Sequence, residues 1–145
     1  IAIETESSLR ARGYQELPQS PSPSNAEIVA DAAYHAARDA RVAAIVVFTA
    51  SGSSARRVSR YRPPVPVYAV TPDDTVARQL AIQYGVTPVL APHVGSTDEM
   101  LAQMDRLLVE KGHLKHGDPV VFVAGQPIGR PGTTNLLKLH RIGVG

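Results

Sequence analysis

The sequence predicts a three-layer α/β/α domain with a mainly parallel sheet of about five strands and an antiparallel strand at one edge. Short β-branched runs without alternation, such as AIVVF at 44–48, are what strands covered on both faces require. Between such runs lie stretches with apolar residues at helical spacing, so helix and strand alternate up to a fourth strand. The 145 residues suit one compact domain and suffice to bury a core.

The elements follow in order from local signals. LPQSPSPSN at 17–25 is too short to separate a pair of domains and reads as a loop ahead of a core over 25–145. Ser24 or Asn25 caps a helix over 25–41, with Glu27 in its first turn and Ile28, Val29, Ala32, Ala33 and Ala36 repeating along one side. AIVVF comes next as a central parallel strand. SSARRVSRY at 53–61 forms a helix that RPPVP at 62–66 must end, because proline disfavours helical geometry in the residue before it. VYAV at 67–70 is the second strand. TPDD at 71–74 then opens a helix with Thr71 as cap, Pro72 in the first position and carboxylates near the positive end of the dipole. That helix is expected to reach about Tyr84, where Gly85 stops it.

TPVLAP at 87–92 is the third strand. STDE at 96–99 has capping-box spacing, in which Ser96 and Glu99 each satisfy the other's backbone N–H. Met100, Leu101, Met104, Leu107 and Leu108 supply the buried stripe of a helix to Glu110 or Lys111, closed by Gly112. HGDPVVFVAG at 116–125 gives a turn and a fourth strand, and NLLKLHRI at 135–142 a fifth. The short loop between them, QPIGRPGTT, favours antiparallel pairing.

Composition removes several function classes. The 15 basic and 13 acidic residues leave a formal charge of +2, with the basic ones spread from Arg10 to Arg141, so no basic face for nucleic acid is expected. No stretch approaches the roughly 20 apolar residues needed to cross a bilayer, and no targeting signal is visible, so no membrane partner is expected and the cytoplasm is the expected location. With no Cys, disulfides and thiolate metal sites are excluded. The histidines never occur as H-x-x-x-H or H-E-x-x-H, and each reads as a surface or strand-end residue. Asp73 and Asp74 sit where a helix start favours negative charge, so capping explains them better than a metal. No metal or cofactor is expected in this chain.

Two loops leave strands at the carboxyl end of the sheet, where ligands of α/β proteins bind: 49–54 and 126–134. In the first, Thr49 ends the strand, Gly52 permits close backbone approach, and Ser53 or Ser54 caps the next helix. Converging hydroxyls and helix-start N–H groups make a cradle for an anion, while a helix cap alone would need only one of them. Composition leaves both readings open. Neither loop carries the Walker lysine, and no strand is followed by G-x-G-x-x-G, which argues against ATP hydrolysis and a dinucleotide cofactor. A serine hydrolase using Ser51 or Ser54 with His35, His93, His113, His116 or His140 lacks a G-x-S-x-G elbow.

TASGSSARRVSRYRPPVPVYAVTP, ARQLAIQYGVTPVL, STDEML and GHLKHGDPVVFVAGQPIGRPGTTNLLKLHRIG resemble, in order and spacing, the C-terminal domain of the pyruvate kinase family. The resemblance runs from about Asn25 to Gly143, and IAIETE looks like the helix leading out of that family's catalytic barrel, making 1–24 a lead-in helix and loop. It implies an allosteric and subunit-contact domain. Catalysis on phosphoenolpyruvate and ADP, with Mg²⁺ and K⁺, belongs to the barrel and lid of the family, whose motifs are absent here. The chain alone is expected to be inactive.

The same resemblance implies an effector site at Thr49, Ala50, Ser51, Gly52, Ser53 and Ser54, which grip a phosphate. The loop matching Gly125 to Thr134 closes over the ligand, with Gln126, Arg130, Gly132 and Thr133 as contacts and Lys111 as a further cation. Many relatives have Arg or Lys where Ser53 stands, and those regulated by fructose bisphosphate use a tryptophan and an arginine near STDEM. This chain has no Trp, and STDEM is acidic. The expected effector is therefore singly phosphorylated, AMP or a sugar monophosphate rather than fructose bisphosphate. The remaining expected partners are the barrel of the same enzyme and a second subunit, paired through the LLKLHRI edge among other contacts. A stand-alone phosphate-binding module and a small hydrolase are the alternatives.

Overall fold

A computed structural model describes residues 24–125 and 134–143. Its elements are α1 (Asn25–Ala40), β1 (Ala44–Phe48), α2 (Ser53–Arg60), β2 (Val67–Thr71), α3 (Asp74–Leu80), β3 (Val86–Leu90), α4 (Thr97–Glu110), β4 (Pro119–Gly125) and β5 (Thr134–Arg141). The expected lead-in helix over 1–24 lies outside the described residues.

The strands form one sheet in the order β3-β2-β1-β4-β5. Four strands are parallel, with Val46 opposite Tyr68 on one side and Phe122 on the other. β5 returns antiparallel to β4, placing Phe122 opposite Lys138 and Val120 opposite His140. The expected mixed sheet with an antiparallel edge is therefore present.

Every residue of β1 and β2 is buried, which explains why neither run alternates. Ile45, Val47, Val67, Ala69, Val121 and Val123 face the layer made by α1, α2 and α3. Ala44, Val46, Phe48, Val70, Phe122 and Ala124 face α4 through Met100, Met104 and Leu108. Each fully buried Val, Ile or Phe contributes about 1.5–3 kcal/mol through removal from water, and these two clusters hold the three layers together.

The helix ends show how local chemistry sets boundaries. Ser24 is the cap of α1: its hydroxyl accepts the Glu27 N–H at 3.2 Å, and the Glu27 carboxylate accepts the Ser24 N–H at 2.8 Å. In α4 the Ser96 hydroxyl accepts the Glu99 N–H at 3.1 Å, but the Glu99 carboxylate meets that hydroxyl at 3.2 Å, so only half of the expected capping box forms.

The expected start and end of α3 both require correction. Thr71 remains the last residue of β2, paired with Leu90, and its hydroxyl accepts the Asp73 N–H at 3.2 Å. Asp73 is the cap, its carboxylate accepting the N–H groups of Thr75 at 2.8 Å and Val76 at 3.3 Å. The helix ends at Leu80, its last buried residue; beyond it Ile82 is 85% exposed and Tyr84 is exposed as well, so little burial is left to extend it. Replacing Asp73 by alanine orphans both N–H groups and is expected to lower stability by about 1 kcal/mol. Urea denaturation followed by circular dichroism would show this as a lower midpoint at unchanged slope.

Candidate functional site

The chain walks outward from β1 through β2 to β3, then crosses by α4 to the far side of β1, where β4 lies. The direction of winding thus reverses between β1 and β4, and at such a reversal the loops leaving two neighbouring strands diverge to open a crevice. The loop leaving β1 is 49–52. Residues 126–133, which follow β4, include Gln126, Arg130, Gly132 and Thr133 and lie outside the described residues.

Thr49 still belongs to the sheet through its N–H, donated to Val70 O at 2.9 Å. Its side chain is buried, and its hydroxyl accepts the Gly52 N–H at 2.8 Å. That bond closes the turn and makes Gly52, at φ 91, the N-cap of α2. Ser53 and Ser54 are the caps expected from sequence; instead both lie inside the first turn of the helix, and no side chain caps α2. The Thr49 hydroxyl closes the turn at Gly52 by accepting its N–H, so the helix begins at Ser53.

The hydroxyls divide into two sets. Thr49 and Ser54 are buried, whereas Ser51 and Ser53 are half-buried and joined by a hydrogen bond of 3.1 Å. The Ser53 N–H also approaches the Ser51 hydroxyl at 3.4 Å. Ala50 is half-buried in the same turn. The Ser51 hydroxyl therefore engages another serine, not a histidine, so the expected alternative of a hydrolase has no nucleophile–base pair at this residue.

α2 differs electrostatically from the other helices. Glu27 lies in the first turn of α1, Asp74 in that of α3, and Asp98 and Glu99 in that of α4. The first turn of α2 holds no acid, and the helix carries Arg56, Arg57 and Arg60. No side chain of this helix neutralises the positive end of its dipole. Burial pushes the Tyr68 phenol up, and the hydrogen bond to Asp39 raises the Arg38 guanidinium; neither group lies at this loop.

Lys111 is not brought to the loop. It follows the last turn of α4, which runs from the carboxyl end of β3 back to the amino end of β4, so it sits at the opposite end of the strands. A cavity of about 800 Å³ also lies away from the loop, between α4 and β5, lined by residues that include Leu101, Asp105, Val109, Lys138 and His140. Its wall contains a pair that spacing in sequence could not reveal. His140 Nε2 donates to both Asp105 oxygens, at 3.0 and 3.1 Å, and Asp105 also accepts the Gly143 N–H at 2.8 Å. His140 stands at the end of β5, as a strand-end residue, but its side chain is 4% exposed, so it is not a surface histidine. Among the described residues no three His, Asp or Glu side chains are grouped to hold a metal ion, and no helix is long and apolar enough to cross a membrane.

Comparison with known proteins agrees with this architecture. Residues 27–140 match the family described as pyruvate kinase, alpha/beta domain. A pyruvate kinase of Geobacillus stearothermophilus is 43% identical over 98% of this chain and 24% of its own length. One from Lactobacillus delbrueckii subsp. bulgaricus is 38% identical over 99% of this chain and 25% of its own. A third, from Clostridium acetobutylicum, is 47% identical over 72% of this chain and 22% of its own. The chain thus spans about a quarter of the length of the pyruvate kinases it matches. It belongs to the pyruvate kinase family, as the C-terminal alpha/beta domain of the bacterial enzymes.

Proposed function

We propose that this domain binds a singly phosphorylated effector in the crevice between the 49–54 and 126–134 loops, and thereby regulates a pyruvate kinase to which it belongs. The observation that carries the reading is the coincidence of three features at one place. The winding reversal between β1 and β4, the uncapped and acid-free start of α2, and the hydroxyls of Ser51 and Ser53 all meet at the loop leaving β1. A phosphate dianion there accepts from the serines and from N–H groups at the helix start, while Thr49, Gly52 and Ser54 hold the backbone that presents them. Arg130, Gly132, Thr133 and Gln126 are the proposed contacts from the second loop. AMP or a sugar monophosphate fits better than a bisphosphate, since the region over Ser96–Met100 that would meet a second phosphate carries Asp98 and Glu99.

Conversion of phosphoenolpyruvate and ADP to pyruvate and ATP, with Mg²⁺ and K⁺, is assigned in this proposal to the longer enzyme. The barrel of that enzyme and a second subunit are the proposed protein partners, with the free edge of β5 one place for subunit pairing. The test is titration calorimetry of the chain with AMP. Saturable binding is expected, and a Ser51→Ala, Ser53→Ala double variant should bind about tenfold or more weakly, since each hydrogen bond to a charged group contributes about 1.5–3 kcal/mol. Absence of saturable binding by the parent chain would reject the reading.

A further inference from the structure

No residue from Thr49 to Ser54 carries a charge, so any side-chain cation that balances a dianion in this loop comes from elsewhere. Arg56 stands one turn along α2, with its guanidinium folded back over the loop. Its terminal nitrogens and central carbon lie 3.2–3.3 Å from where a Cβ on Gly52 would stand. One terminal nitrogen donates to the Ser51 carbonyl at 3.5 Å and the other to the Gln79 side-chain oxygen at 3.4 Å. Both bonds are at the outer limit of hydrogen-bonding distance, and both acceptors are neutral. No carboxylate among the described residues pairs with Arg56, although Arg38 and Arg78 on neighbouring helices each have one. A half-buried guanidinium with two long bonds and no carboxylate partner among the described residues is a charge available to a ligand at this loop.

We infer that Arg56 supplies this site with a cation from α2, exchanging its long bond to Ser51 for a phosphate oxygen of the ligand. The inference rests on the phosphate reading of the loop and adds the residue that sets its charge preference. Exchange favours the dianion because charge-assisted bonds are shorter and roughly twice as strong as neutral ones. The planar fork can keep one nitrogen on Gln79 while the other meets the ligand. Glycine at position 52 is what lets the guanidinium lie close against the turn. Gln79, on α3, then sets how far the fork reaches.

The inference is tested by titrating the parent chain, Arg56→Gln and Arg56→Lys with AMP and with inorganic phosphate at two salt concentrations. Arg56→Gln is expected to bind both probes about tenfold more weakly, with a shallower dependence on salt, as loss of one partly exposed charge requires. Arg56→Lys, which keeps the charge, is expected to retain the parent's salt dependence. Equal binding by Arg56→Gln and the parent would overturn the role of Arg56 while leaving the loop as the phosphate site. Weaker binding with unchanged salt dependence would also overturn it, since Arg56 would then only brace the turn. A parent chain that binds neither probe would overturn the phosphate reading itself, and this inference with it.

Discussion

Replacing Gly52 by valine is expected to weaken AMP binding by about a hundredfold and to lower stability by about 2 kcal/mol. Gly52 has φ 91, a region that β-branched residues essentially never occupy. The contact of a new Cβ with Arg56 can relax, because the guanidinium is the far end of a flexible chain. The backbone angle cannot relax without rotating the 51–53 peptides. That rotation breaks the bond from Gly52 N to the Thr49 hydroxyl and turns the first N–H groups of α2 away from the crevice. On the proposed binding mode at least two charge-assisted bonds to the phosphate are then lost together, hence the size of the effect. Calorimetry measures the affinity and thermal melting the stability. Full affinity in a folded Gly52→Val chain would place the ligand elsewhere.

Replacing Asp105 by alanine is expected to cost about 3 kcal/mol and to lower the melting temperature by roughly 10 °C. Both members of the Asp105–His140 pair are largely out of water, at 15% and 4% exposure, and Asp105 also accepts the Gly143 N–H. Truncating the carboxylate leaves a buried imidazole without its partner, and such an orphaned group costs more than the bond contributed when made, while the exposed Gly143 N–H turns to water. A second substitution separates this cause from lost packing. Asp105→Ala with His140→Leu is expected to be more stable than Asp105→Ala alone, because the leucine removes the orphaned imidazole. Differential scanning calorimetry of both variants decides; a double variant no better than the single one would assign the loss to packing.

The legible features of the fold are those that sequence neighbours determine. AIVVF and VYAV have the unbroken apolar character of covered strands, and the Ser24–Glu27 pair marks the start of α1 because both arms of that cap lie within four residues. The start of α3 is not legible because Thr71 and Asp73 are both good caps by type, and pairing of Thr71 with Leu90 in another strand decides between them. The end of α3 is obscured because Gly85 reads as the stop, whereas the helix ends at Leu80. Only tertiary structure shows Tyr84 at the surface, with the Arg62 guanidinium 4.8 Å above its ring.

For the candidate site, the loop is legible and its internal order is not. The hydroxyl-rich turn after β1 stands out in sequence, but which oxygen closes it depends on Thr49 being pinned to Val70 in β2. Arg56, Arg57 and Arg60 of α2 are alike by residue type. Gln79, 23 residues further on, distinguishes Arg56 from its neighbours. Asp105 and His140 stand 35 residues apart on different elements, and no local signal connects them.

The position of β4 between β1 and β5 bears on how the chain reaches this state. β1 can pair with β2 soon after both are made, but its other edge stays open until Pro119–Gly125 arrives, roughly seventy residues after Phe48. Closing a loop of that length costs about 4 kcal/mol in chain entropy before any β1–β4 bond forms. During synthesis, therefore, a fully buried central strand waits half-paired, and a chain cut short before Pro119 would present AIVVF as an adhesive edge. The strand order that reverses the winding at β1 thus also leaves the centre of the sheet to be completed by a long-range pairing.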